Sequence, residues 1–508
     1  MTAVMIQGCT SWAGKSLLTT ALCRWYARQG LRVAPFKAQN MSNNARVVAG
    51  GEGASAARRD GASGGGASAA RRDGASGGGA SAARRDGASG EIGVAQWLQA
   101  RAAGLEPDVR MNPVLLKPER GGSQVVRLGQ VDHELSRRPW HDRSEALWPT
   151  VDQALGQLLD EYDLVVIEGA GSPAEINLAA NDIVNMRVAE RADAPVLLAV
   201  DIDRGGAFAH LYGTWALLPQ RHRERIRGFV LNRFRGDASL LPPGPEQLEQ
   251  LTGVPTVGVV PMVRHDLPDE DGAALHAPRR GGLPPVAVVR HPAASNLDEF
   301  ALLEQVADVR WATAPWHLDG AATVILPGSK HVSADLDWLR ASGLDDAVRA
   351  AAARPAVRVV GVCGGLQLLG RRLVDPHGVD GSGYGLGLLP LTTTYAPDKL
   401  VRHRTLRLPS LSGSWRGLAG LQFDGYEIRQ GRTVADGPLD AAVDDALVVA
   451  RGNVLGCYLH GMFEHPAVLE ALFGARPDRT LDDTFDLLAD IVEHHVDGAV
   501  LRELAGLP

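Results

Sequence analysis

Two α/β domains in series are what this sequence predicts, and three observations predict them. The chain has 508 residues, more than one hydrophobic core usually serves. Two successive series of short apolar runs end in glycine-rich turns, and a stretch rich in charge, Gly and Pro separates the two series. Apolar residues make up 45% and charged residues 22%, which is globular rather than disordered or fibrous.

In the first series TAVMIQG, LRVAPFK, LVVIEGAGS, PVLLAVDIDRGG, RGFVLNRF and TVGVVP alternate with helical stretches. That alternation predicts a parallel sheet wrapped by helices, with ligands at the carboxyl ends of its strands. The first domain is expected over residues 1–262 and a linker over 263–285, RHDLPDEDGAALHAPRRGGLPP in its main part. VAVVRHP, DVRWAT, AATVILPGSK, AVRVVGVCGG and GNVLGCYLHG then predict a second domain over 286–475, and LDDTFDLLADIVEHHV a helical C-terminal tail over 476–508.

The net charge of -7 gives no basic footprint for nucleic acid. No apolar run approaches the ~20 residues that span a bilayer, and MTAVMIQG has neither a basic nor a long apolar leader region. Cys9, Cys23, Cys363 and Cys457 form no CxxC pair, so a reducing cytoplasm is expected rather than a disulfide framework or a zinc site.

MIQGCTSWAGKS sets Gly8, Gly14, Lys15 and Ser16 between a strand and a helix that closes at Gly30. Such a turn cradles phosphates: Gly14 permits the tight backbone, loop amides and the helix N-terminus face the anion, Lys15 neutralises it and Ser16 can ligate magnesium. A strict loop of this kind has Gly where Cys9 stands, and the bland alternative is an ordinary turn with a surface lysine. Glu168, ending LVVIE, is where a second magnesium ligand belongs.

In RVVGVCGGLQLLG a β-branched run stops at Cys363 and two glycines open a helical pattern. That is a nucleophile elbow written with cysteine: the turn lifts the sulfur clear, and the glycines let a carbonyl approach backbone amides. His460 in LGCYLHGMF is the candidate base, and Gly328, Ser329 and Gly364 are the candidate oxyanion donors. Taken singly, a buried cysteine and a strand-end histidine are more often structural. Taken together with a phosphate loop they have a chemical logic: ATP activates a carboxylate as an acyl phosphate, and ammonia freed from glutamine inside the protein attacks it.

Over nearly its whole length the chain resembles the cobyric acid synthase family, through GCTSWAGKS, VAPFKAQNMSNN, GEIGVAQWLQA, MNPVLLKP, VVIEGAGSPAEINL, DIDRGGAFA, LNRFRGD, LPGSK, GVCGGLQLLG, FDGYEI and YLHGMF. The resemblance implies an N-terminal domain similar to dethiobiotin synthetase and a C-terminal class I glutamine amidotransferase domain with a flavodoxin-like fold. It implies ATP- and glutamine-dependent amidation of the b, d, e and g carboxylates of adenosylcobyrinic acid a,c-diamide. By position, Lys15, Ser16 and Lys37 would serve ATP, Asn232 its base, and Ser16 and Glu168 magnesium. Cys363 would be the thioester nucleophile and His460 its base, while Gln39, Asn40, Glu175 and Asn177 would line the corrinoid site.

The sequence departs from the family at Cys9, usually threonine, Trp12, usually acidic, His331, usually asparagine, and Arg429, usually histidine. Met462 stands where class I triads carry glutamate, an acid this family usually lacks, so a Cys-His dyad is expected. Two other readings fit these residues: another glutamine-dependent amidotransferase of the same build, and a P-loop regulatory or binding protein with a vestigial amidase.

Residues 51–89 repeat one unit, GEGASAARRDGAS and then GGGASAARRDGAS twice. The unit has no periodic apolar face and is too short to stack as a solenoid. Joining Gly50 to Gly90 restores NNARVVAGGEIGVAQ, so the repeat reads as an insertion into a loop whose ends lie close together.

Overall fold

A computed structural model describes residues 2–49, 89–119, 122–263, 265, 267–268, 282–444 and 446–508. The repeat, apart from Ser89, and most of the predicted linker lie outside the described residues.

The six runs of the first series form one sheet: β1 (Thr2–Gly8), β2 (Val33–Phe36), β3 (Leu164–Glu168), β4 (Val196–Asp201), β5 (Ile226–Phe234) and β6 (Thr256–Pro261), in the order β6-β5-β4-β1-β3-β2. Every pairing is parallel. Both faces are covered, so β1, β3 and β4 read as unbroken apolar runs rather than alternating ones. β1 lies between β4 and β3, and the loops leaving β1 and β3 therefore open side by side at the carboxyl edge.

The second series forms β7 (Pro285–Val289), β8 (Asp308–Ala312), β9 (Thr323–Leu326), β10 (Arg358–Val362), β11 (Ala441–Val443), β12 (Val448–Arg451) and β13 (Val454–Cys457), in the order β8-β7-β9-β10-β13-β12-β11. The five predicted strands are parallel, and β12 and β11 extend them antiparallel. A long antiparallel pair, Leu391–Arg407 with Gln422–Ala435, rises from this domain toward the first.

The predicted tail is helical, and it returns to the first domain. Helix Leu481–His495 lies along helix Lys15–Arg28 and buries Phe485, Leu488 and Val492 in one cluster with Ile6, Leu18, Leu22 and Tyr26. Arg24 and Arg28 pair with Asp486 and Asp490, and Tyr26 donates to the Leu501 carbonyl at 2.8 Å.

Strand Ala45–Ala49 pairs antiparallel with Ser89–Gly93, with Val48 opposite Gly90 and Ala49 opposite Ser89. The chain thus enters and leaves the repeat at adjacent ends of one hairpin. The same hairpin touches the second domain: His403 Nε2 lies 2.5 Å from the Val47 carbonyl, and buried Glu91 bridges Lys117 of its own domain to Lys399 of the other. Among the described residues, no helix is long and apolar enough to cross a membrane.

Candidate functional site

A cavity of about 270 Å³ opens where the sheet of the first domain predicts it, lined by Trp12, Lys15, Ser16, Lys37, Asn40 and Glu168 among others. Gly14 sits at φ +87° as the cap of helix Lys15–Arg28, and a Cβ there would stand 1.9 Å from Asn232 Nδ2, so only glycine fits. Lys15 spans the two loops, its Nζ donating to the Thr10 and Gly171 carbonyls at 3.1 Å each.

Glu168, at the end of β3, accepts from Ser16 Oγ at 2.8 Å, from Lys37 Nζ at 2.8 Å and from Gln99 Nε2. Burial works against its charge, but Lys37 and these hydrogen bonds hold the carboxyl below the usual carboxylate range. Hard oxygen donors on Ser16 and Glu168 therefore converge beside an ammonium-rich helix N-terminus, the donor set that a phosphate-bound divalent cation requires. Asn232 is placed beneath the loop rather than in the cavity lining, with Nδ2 on the Ala13 carbonyl at 2.9 Å.

Of the residues assigned to the corrinoid, Asn40 lines this cavity, its side chain on Gln96 at 3.1 Å, and Gln39 lies in the same short strand but outside the lining. Glu175 and Asn177 are exposed and are not brought to the cavity. Arg233, paired with Asp201 at 3.1 Å, and His265 of the predicted linker also line it, and the sequence reading missed both. The LNRFRGD motif held the signal for Arg233, but a linker histidine gives none.

The second site lies at the carboxyl end of β10. Cys363 has φ +49° and ψ -106°, a strained conformation for a non-glycine residue and the mark of a nucleophile elbow. A Cβ on Gly364 would stand 2.5 Å from the Ser329 amide nitrogen, so glycine brings the elbow against the loop that follows β9. Cys363, Gly364, Ser329, Lys330, Gln367 and His460 border one small cavity of about 80 Å³. The Gly328 backbone lies close to the His460 ring, where an added Cβ would be 2.9 Å from Cε1.

His460 borders the same cavity as Cys363, whose Sγ donates to the Ile428 carbonyl at 3.7 Å, and places Nδ1 2.9 Å from Glu299 Oε1, which leaves Nε2 free of that bond. Glu299 Oε2 accepts the Gly461 amide at 3.0 Å, and both side chains are buried. Burial opposes the imidazolium, yet the Cys363 sulfur and the Glu299 carboxylate raise His460 to about 10. The expected Cys-His pair therefore has an acid beside it, Glu299, which the sequence reading did not name. Met462 is buried apolar filler, and the acid comes instead from the turn Leu297–Phe300. A class I spacing rule looks two residues past the histidine, whereas this acid lies 161 residues before it, in SNLDEF, where nothing local marks it; the burial of its two carboxylates shows only in the structure.

His331 lies outside the lining of this cavity, capping helix Val332–Ser342 with Nδ1 2.8 Å from Asp380. Arg429 borders it, bonded to Glu427 at 2.6 Å and lying 4.1 Å over the Tyr458 ring.

The sequence model of a CobQ/CobB/MinD/ParA nucleotide binding domain matches residues 4–270, and that of a CobB/CobQ-like glutamine amidotransferase domain matches residues 285–468. The chain is 53% identical over 541 residues to a cobyric acid synthase of Polaromonas sp., covering 100% of this chain and 99% of that one. It is 55% identical over 513 residues to one from Variovorax paradoxus, covering 99% and 98%. With one from Polaromonas naphthalenivorans it shares 54% over 520 residues, covering 99% of each. With a phosphate-binding turn and a cysteine elbow each at the carboxyl edge of its own sheet, and with end-to-end identity at this level, the chain belongs to the cobyric acid synthase family.

Proposed function

We propose that the protein catalyses the ATP- and glutamine-dependent amidation of the b, d, e and g carboxylates of adenosylcobyrinic acid a,c-diamide. The observation that carries this reading is the pairing, in one chain, of a phosphate loop with a buried Cys363–His460–Glu299 array. Residues 1–262 act as the ATP-binding amidoligase unit, residues 286–475 as the glutaminase, and the four free, buried cysteines suit a reducing cytoplasm.

In the glutaminase, the Cys363 thiolate attacks the side-chain amide carbon of glutamine. The amides of Ser329 and Gly364 receive the developing oxyanion, and the His460 imidazolium protonates the departing ammonia. Water then hydrolyses the thioester, with His460 as its base. In the first domain Lys15 and the helix N-terminus bind the phosphates of ATP, and Lys37 keeps Glu168 ionised. Magnesium, when bound, would be held by Ser16 and Glu168 and would supply charge neutralisation at the phosphates.

Two variants test the assignment. Lys15→Ala should abolish amidation with either nitrogen source, and Cys363→Ser should abolish it with glutamine while sparing it with ammonium salts. Equal loss of both activities in Cys363→Ser would make Cys363 structural.

A further inference from the structure

The acid of the glutaminase triad is held in place from the other domain. Glu299 lies in a turn capped by Asn296, which adopts φ +57°. The amides of Asn296 and Leu297 both donate to Asn44 Oδ1, at 2.7 and 3.3 Å, and Asn296 Nδ2 donates to the Ala45 carbonyl at 2.6 Å. Asn44 and Ala45 belong to the first domain, a few residues beyond Asn40 and Met41 in the wall of the nucleotide cavity.

Arg46 follows directly. Its side chain is 5% exposed and pairs with Asp298, the neighbour of Glu299, and with Glu464, in the turn just after Gly461. Its guanidinium also lies 5.3 Å from the centroid of the Tyr426 ring, and that ring stacks on His460 at 5.2 Å and 21°. On the other side it lies 4.8 Å from the ring of Trp97, in helix Val94–Ala102, two of whose residues, Ala95 and Leu98, line the nucleotide cavity. One side chain of the first domain thus touches the residue beside the triad acid, the ring stacked on the triad base and the turn that follows that base. A mixed apolar cluster of Ala45, Val47, Leu115 and Val126 with Tyr426 and Ile428 fixes the contact.

We propose that Arg46 is a positioning residue through which the nucleotide-binding domain assembles the glutaminase triad, so that ammonia is released only when the two domains are docked. The proposal rests on the functional reading above. Arg46 touches no reacting atom. It neutralises buried Asp298, and without it an uncompensated carboxylate one residue from Glu299 would turn toward water and carry the acid off Nδ1 of His460. Ammonia made in an undocked glutaminase would be protonated in solvent, so tying triad assembly to docking confines its release to a chain that can use it.

The test is Arg46→Met in the full-length protein, with glutaminase and amidation assayed separately. Glutaminase kcat and glutamine-driven amidation should fall about tenfold or more, with KM for glutamine little changed, while ammonia-driven amidation stays near the wild-type rate. Alkylation of Cys363 by iodoacetamide at neutral pH should slow in parallel, because His460, no longer held by Glu299, turns away from the cavity it shares with the sulfur. The paired variant Arg46→Met/Asp298→Asn removes the carboxylate that Arg46 compensates, leaving only part-exposed Glu464 without that partner, and should regain most of the glutamine-driven rate, which decides the matter if the single variant folds poorly. Equal losses with glutamine and ammonia in Arg46→Met, no loss with glutamine there, or a paired variant whose glutamine-driven amidation stays about tenfold down, would overturn the role of Arg46. A wild-type protein without ATP-dependent amidation from ammonia would instead overturn the functional reading on which it rests.

Discussion

Glu299 changes what His460 can do. A buried imidazole alone would lose its proton below its ordinary 6.5, but the Cys363 sulfur and the Glu299 carboxylate raise it to about 10. His460 therefore stays protonated at neutral pH, the state that the proposed donation to departing ammonia requires. The shift is upward, so its contribution to stability is fully present below about 6.5 and is lost as pH rises through about 10. Glutaminase activity should hold from neutral pH until its basic limb near 10. Glu299→Gln removes one of the charges that raise the pKa, so the limb should move to lower pH and kcat should fall about 100-fold. A pH profile of glutamine hydrolysis checks both, and an unmoved limb would show that Glu299 does not act through His460. Cys363 and His460 were legible because each ends a strand in a glycine-rich turn, a local signal. Glu299 was not, because its role depends on a contact between distant strand ends and its own surroundings in sequence are ordinary.

Elements were legible to the extent that burial on both faces wrote them in β-branched residues. β1, β3 and β4 are buried at nearly every position, and the sequence marks them plainly. Strand Leu391–Arg407 is half exposed, carries Lys, Arg and His, and slips register between Tyr395 and Leu400, so it reads as loop although it supplies His403 and Lys399 to the domain contact. The hairpin that bears the repeat is informative in another way. Removing residues 51–89 joins Gly50 to Gly90 and leaves Ala49-Gly50 as a two-residue turn between the paired Val48 and Gly90, the shortest connection an antiparallel pair accepts. Shortening a long loop stabilises by on the order of a kcal/mol or two. The shortened protein should melt at the wild-type temperature or a few degrees above it and keep glutamine-driven amidation. A fall in either, by calorimetry or assay, would give the repeat a structural part in the site.

At the scale of the whole molecule, the two domains are not two independent pieces of chain. The sequence places the tail after the second domain, yet amphipathic spacing in LDDTFDLLADIVEHHV says only that one face is buried and not against what. Its partner is helix Lys15–Arg28, which begins at the phosphate loop. Phe485, Leu488, Ile491 and Val492 each contribute roughly 1.5–3 kcal/mol on burial, so the four together give about 6–12 kcal/mol. That is comparable with the ~5–15 kcal/mol that holds an ordinary domain folded. The half-exposed pairs of Arg24 and Arg28 with Asp486 and Asp490 add little, on the order of 1 kcal/mol or less each. A chain ending at residue 479 should therefore lose ATP binding and the thermal transition of its first domain while its glutaminase fold persists. A peptide of residues 480–508 supplied in trans should restore both, read by calorimetry of nucleotide binding and by melting. Unchanged ATP affinity in the truncated chain would mean that the first sheet is stable with that face uncovered, and that the tail serves the second domain alone.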